Sequence, residues 1–327
     1  MTVPRTRPLL ALLALLVAAL VAAGCGGDDN SSSSSGGGGG SSSSASADQP
    51  GKGKPAITIG TKDFTEEFVL GELYARALRA KGYKVNLKRN IGATEIVDKA
   101  LTSKQIDAYP EYTGVALAVT FGKNVLTKSA EDTAQRVKKL YEQRGQVVSD
   151  ATPFQDVDAV AATKTFAEKN NLTSVPDLKK LPSFTIGARP EFKSRFTGLK
   201  GMQDVYGIDN AKFKQLALGL QYQALDKGDV DTANVFSTDA QLASGKYQLL
   251  KDPKGIFGFQ NVYFVINKDK YDALGGAQFA GVIDSVNKLL TNDAMQSMNA
   301  AVDLDKKDPK AVAGQFLQAN GLTGSSS

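Results

Sequence analysis

The chain has 327 residues, a formal charge of +5, one cysteine and no histidine. Without histidine, and with one thiol, the usual Ser-His-Asp, Cys-His and His-metal constellations are excluded. No paired acidic motif calls for carboxylate catalysis, and no basic block marks a nucleic-acid surface, so the composition points to a small-molecule binder and not to an enzyme.

Residues 1–25 read MTVPRTRPLLALLALLVAALVAAGC. Arg5 and Arg7 form a positive n-region, and residues 9–23 are an apolar run too short for a comfortable membrane span. A lone cysteine directly after such a run resembles a bacterial lipobox, in which Cys25 becomes the lipidated N-terminus. With no second cysteine there is no internal disulfide. Residues 26–54, rich in Ser and Gly, cannot bury apolar surface and read as a flexible tether. No later stretch reaches about 18 consecutive apolar residues. Removing Arg5 and Arg7 with the signal takes the charge from +5 to +3. The folded part starts at Ala56 and is about 270 residues long, enough for two lobes.

From Ala56 the pattern alternates short apolar runs with helical segments, which indicates an α/β fold. ITIG (57–60) is a strand, and 65–82 is an amphipathic helix with Thr65 as N-cap, Glu66 and Glu67 in the first turn and Gly82 at its end. A strand at 83–89, a helix at 93–104 and a strand at IDAY (106–109) follow. This order predicts an open parallel-type sheet with ligand-facing loops at the carboxyl ends of its strands. PEYTG then reads as a turn that presents Tyr112 to a ligand, with Glu111 serving the turn or a contact with a partner protein.

The second half repeats the scheme. FTIGARPEF (184–192) echoes ITIGTKDF (57–64), each with a strand, a Gly, a basic residue and a Phe. ALTSKQIDAYPEYTG (100–114) aligns without a gap on ALDKGDVDTANVFST (224–238), placing Tyr112 over Phe236. Two related lobes would each offer an aromatic from the same strand-end position, and a cleft between lobes is a preferred place for a small ligand. Crossings are expected near 154–160, where Asp156 caps or hinges, and near 257–267. Helices at 271–290 and 294–304 return to the first lobe, which then comprises 56–157 and 262–327, the second being 158–261. Tyr222, spaced with Leu218 and Leu225, reads as packing.

TIGTKDFTEEFVLGELYA, GATEIVDKAL, IDAYPEYTG and FSTD together resemble the osmoprotectant-binding proteins of ABC transporters, the glycine betaine, choline and carnitine group, over 56–320. The resemblance implies the two-lobed type II periplasmic-binding fold with the ligand cleft between lobes. It implies a monomer without cofactor, lipid-anchored to the outer face of the cytoplasmic membrane, that delivers a quaternary-ammonium solute to permease subunits. Such a cation has no N–H to donate, so aromatic faces hold it, at about 0.5–2 kcal/mol each, while a Lys, an Arg and a hydroxyl hold a betaine carboxylate. Carried onto this sequence, the cage aromatics are Tyr112 and Phe236, with Thr113 beside Tyr112 in the same motif. The cations are Lys62 and Arg195, with Arg189 as an alternative. Three positions depart from the pattern: Asp158 stands where Tyr or Asn is usual, Gln260 where a cage tyrosine stands, and Val115 where a hydroxyl follows. A close Asp158 would favour a cation directly, by about 1–4 kcal/mol. These departures leave open another small cationic or zwitterionic solute, such as an amino acid.

Overall fold

The computed structural model describes residues 49–324, so the signal, Cys25 and most of the tether lie outside the described residues. Ten strands make two sheets: β1 (Ile57–Gly60), β2 (Val85–Lys88), β3 (Ala108–Tyr112), β4 (Gln146–Val148), β5 (Asp158–Thr163), β6 (Phe184–Ala188), β7 (Ala211–Gln215), β8 (Thr232–Phe236), β9 (Tyr247–Leu250) and β10 (Val262–Asn267). Their orders are β2-β1-β3-β10-β4 and β7-β6-β8-β5-β9. Both sheets are mixed, where a parallel-type sheet was expected. In each, three parallel strands lie on one side, and a single strand on the other side, of a strand that arrives from the other lobe and runs antiparallel to both neighbours: β10 between β3 and β4, β5 between β8 and β9. The chain crosses between β4 and β5 and again between β9 and β10, and the two crossings bridge at Gln155 and Asn261.

The gapless repeat is a structural equivalence. Tyr112 ends β3 opposite Val262, and Phe236 ends β8 opposite Asp158. The expected PEYTG turn is instead the end of a strand that carries Pro110 in mid-sheet. Pro110 fits because β1 meets β3 only at Ala108, so the flank of β3 beyond Ala108 has no strand to receive an N–H. The N–H of Tyr112, on the same flank, donates to Glu111 Oε1 at 2.7 Å.

Helix α1 (Thr65–Ala80) is capped by Phe64, not by Thr65, whose hydroxyl donates to Asp303 Oδ1 at 2.6 Å. Val69, Leu70 and Leu73 of α1 are fully buried with Ile57 and Ile59 of β1 and Phe264 of β10, each contributing roughly 1.5–3 kcal/mol of burial. Helices Ala277–Asn287, Asn292–Asp303 and Pro309–Ala319 cover the same core and so pack on the lobe that contains β1. The helix expected over 271–290 breaks in two, because Gly275 (φ 102°) and Gly276 (φ 54°) take left-handed backbone. The second core gathers Val160, Ile186, Phe192, Met202 and Ile208 beneath the other sheet. Residues 49–54, read above as the end of the tether, are held on the fold: Gly51 N donates to Lys81 O at 2.9 Å.

Candidate functional site

The carboxyl ends of β1, β3, β6 and β8 converge on one cavity of about 40 Å³. Its wall carries Tyr112, Phe236, Lys62, Arg195 and Asp158 of the expected residues, with Arg189 and Val115. Phe64, Asp156 and Glu191 also line it and were not foreseen as ligand residues. Phe64 is the largest omission, since its ring links the lobes: 5.3 Å from Phe236, stacked at 16°, and 6.0 Å from Tyr112, tilted at 31°. The signal was present in the repeated basic-residue-then-Phe pattern that Lys62 and Phe64 share with Arg189 and Phe192.

The internal symmetry extends to the cations. Lys62 Nζ sits 4.6 Å from the Tyr112 ring centroid, and the Arg189 guanidinium 5.0 Å from that of Phe236. Each cation has an acidic partner: Lys62 pairs with Glu111, and Arg189 takes both oxygens of Asp158 at 2.8 and 2.9 Å. Asn234 also donates to Asp158 Oδ1 at 2.9 Å. Asp158 was expected to act on a ligand cation by direct charge; it lines the cavity with that charge already met by a bidentate arginine. Arg195 bonds Glu95 across the cleft, with Nη2 2.8 Å from Oε2. That bond and Arg195's cation lower the Glu95 carboxyl below its usual range against the opposing effect of burial.

Two expected ligand residues do not reach the cavity. Gln260 is 1% exposed; its Oε1 accepts from Val115 N at 3.0 Å and its Nε2 donates to Phe257 O at 2.7 Å. Thr113 donates its hydroxyl to Phe259 O at 2.8 Å. Both side chains pin the second crossing onto the end of β3, and Gly114 makes this fit: a Cβ there would lie 2.7 Å from Gln260 Nε2 and 2.8 Å from Phe259 O. Gly114→Ala should cost about 1–3 kcal/mol by overpacking, measurable by denaturant unfolding; an unchanged midpoint would contradict this packing.

Behind Tyr112 lies a buried acidic junction. Tyr112 OH donates to Glu66 Oε1 at 2.8 Å, and Asn299 Nδ2 to Glu66 Oε2 at 2.9 Å. The Thr238 hydroxyl lies 2.7 Å from Glu66 Oε2 and 2.8 Å from Asp156 Oδ1. One hydroxyl proton serves one of these contacts, so the other needs a proton on a carboxyl. Burial raises both carboxyls, against the hydrogen bonds from Thr238 that lower them, in agreement with a shared proton. Glu67 accepts from Lys62 N at 3.0 Å through Oε2, while its Oε1 has no partner. Burial pushes the Glu67 carboxyl up to about 8, against the attraction of Lys62. A raised acid contributes stability that is present below its unfolded value of 4.5 and is lost as pH rises through about 8. Glu67→Gln should remove a slope of about 1.4 kcal/mol per pH unit inside that window; parallel stability-pH curves for wild type and variant would contradict this.

Two like lobes joined by two crossings, with aromatic and charged groups converging from both, define a solute-binding protein that holds a small molecule in its cleft. The sequence profile of the substrate-binding domain of the ABC-type glycine betaine transport system matches residues 55–319, and the chain belongs to that family. It is 32% identical over 280 residues to the glycine-betaine-binding protein of Pseudomonas aeruginosa, covering 81% of this chain and 88% of that one. It is 28% identical over 277 residues to the ergothioneine transport permease/ergothioneine binding protein EgtU of Helicobacter pylori, covering 82% of this chain and 48% of that longer one. The solved structure of apo YehZ from Escherichia coli superposes with a TM-score of 0.59 at 28% identity, covering 82% of this chain and 99% of that one. The chain is thus the substrate-binding component of an ABC importer, a class that works outside the cytoplasm.

Proposed function

We propose that the protein captures a quaternary-ammonium compatible solute such as glycine betaine, choline or carnitine against the rings of Tyr112, Phe64 and Phe236, and hands it to its permease without chemical change. The observation that carries this reading is the run of three rings across the two lobes, with Phe64 stacked on Phe236 and tilted against Tyr112. A cation that cannot donate a hydrogen bond is recognised by ring faces, and rings from both lobes couple its capture to cleft closure. Glycine betaine in the name of the Pseudomonas aeruginosa relative supports the same class. A solute carboxylate would go to Arg195, whose partner Glu95 has a half-exposed side chain and is displaceable. Arg189 keeps its buried Asp158 and serves as a wall. On this reading segments 56–157 with 262–327 and 158–261 are the closing bodies, the protein acts as a monomer, and Cys25 carries the lipid anchor on the outer face of the membrane.

Calorimetric titration of the protein with glycine betaine, choline, carnitine and L-arginine tests the reading. Saturable heat with a quaternary amine and none with L-arginine is expected. Heat with L-arginine alone would replace this reading with an amino-acid receptor.

A further inference from the structure

Phe64 and Phe236 have a second side. Beyond them the cleft continues into a larger cavity of about 340 Å³, within the size range of ligand sites. Asp63, Asp156 and Leu218 border both cavities, as do the two phenyl rings, so these are two chambers of one cleft.

The larger chamber has a surplus of hydrogen-bond acceptors. Glu66, Asp156, Asp239 and Asp303 line it, and Lys306 is the single cation among its lining residues. Several of the donors there are already engaged. Thr65 OH goes to Asp303, Tyr222 OH to Asp239 at 2.8 Å, and Lys306 Nζ to the Asp303 carbonyl at 2.7 Å. Gln221 and Asn299 line the same chamber, are each 4% exposed, and have amide oxygens with no partner. A buried acceptor left unpaired is unfavourable. A quaternary ammonium, which lacks N–H, offers them nothing. A primary ammonium or a guanidinium offers three to five donors and a counter-charge.

We propose that this chamber is a second ligand subsite, which takes the hydrogen-bond-donating cationic end of an elongated solute whose quaternary end rests on the aromatic stack. This rests on the function proposed above for the stack. The substrate class it defines is a betaine with a distal amine or guanidine, which carries a net positive charge, in preference to a short net-neutral betaine.

The full protein is titrated with glycine betaine, with Nα-trimethyl-lysine and with cadaverine, which has the amines but no quaternary group. The trimethyl-lysine should bind at least about tenfold tighter than glycine betaine. That ratio should fall toward one in Asp303→Asn and, as a second variant, in Asp239→Asn. Equal affinity for the two betaines, or a ratio that neither variant changes, overturns the subsite and leaves the function of the stack intact. Binding of cadaverine alone, weakened by Asp303→Asn, supports the subsite while overturning the reading of the stack. Binding of none of the three overturns both.

Discussion

Replacing Arg189 with alanine is expected to destabilise the protein by about 3–5 kcal/mol, because it leaves the Asp158 carboxylate buried without its partner. The pair is bidentate, with Arg189 7% and Asp158 4% exposed, and Arg189 also donates to Asn234 Oδ1 at 2.6 Å. Its guanidinium lies against the Phe236 ring as well, so alanine also removes support from one wall of the cleft. Replacing both members of the pair by leucine should restore much of the loss, since a buried ion pair and a well-packed apolar pair are often close in stability. Denaturant unfolding of the single and double variants measures this. A loss below about 1 kcal/mol for Arg189→Ala would mean that Asp158 is solvated or finds another donor.

The second large effect concerns Tyr112, and two substitutions separate its ring from its hydroxyl. Tyr112→Ala removes one face of the cage, and a lost cation–π contact of up to about 2 kcal/mol lowers affinity for a quaternary amine by up to about 30-fold. Tyr112→Phe keeps the face and so keeps most of the affinity. It leaves Glu66 Oε1 without the donor now 2.8 Å away, which should lower stability by about 1–3 kcal/mol. Calorimetry and unfolding on both variants give four numbers. Equal loss of affinity in the two would assign recognition to the hydroxyl and contradict the ring-face account.

The pairing of Tyr112 with Phe236 was legible because both lobes use one helix-strand unit, so a gapless repeat preserves the strand-end position. The strand-end basic residue of each lobe was legible for the same reason, in TIGTK and TIGAR. What those cations pair with was not. Glu111 and Asp158 lie on strands that reach Lys62 and Arg189 only through sheet order, 49 and 31 residues away. Asp158 was therefore read as a free charge although arginine covers it. Along the chain Gln260 takes the place of a cage tyrosine. Its side chain direction is set by Gly114 and the Val115 N–H, which no local pattern reveals. Phe64 was hidden beside its motif neighbour Lys62, since a helix-capping aromatic looks like packing until the opposite lobe brings Phe236 against it. The mixed sheets have the same origin: the antiparallel direction of β5 and β10 comes from crossing between lobes, which local periodicity does not encode.

On the proposed function, a quaternary ammonium sits against rings of both lobes. The direct measurement is nuclear Overhauser contact between the methyl protons of bound choline and the ring protons of Phe64, Tyr112 and Phe236. Contacts to Tyr112 from one lobe and Phe236 from the other are expected, lost with Tyr112→Ala on its own side. Bound choline whose methyl protons touch none of the three rings would contradict it.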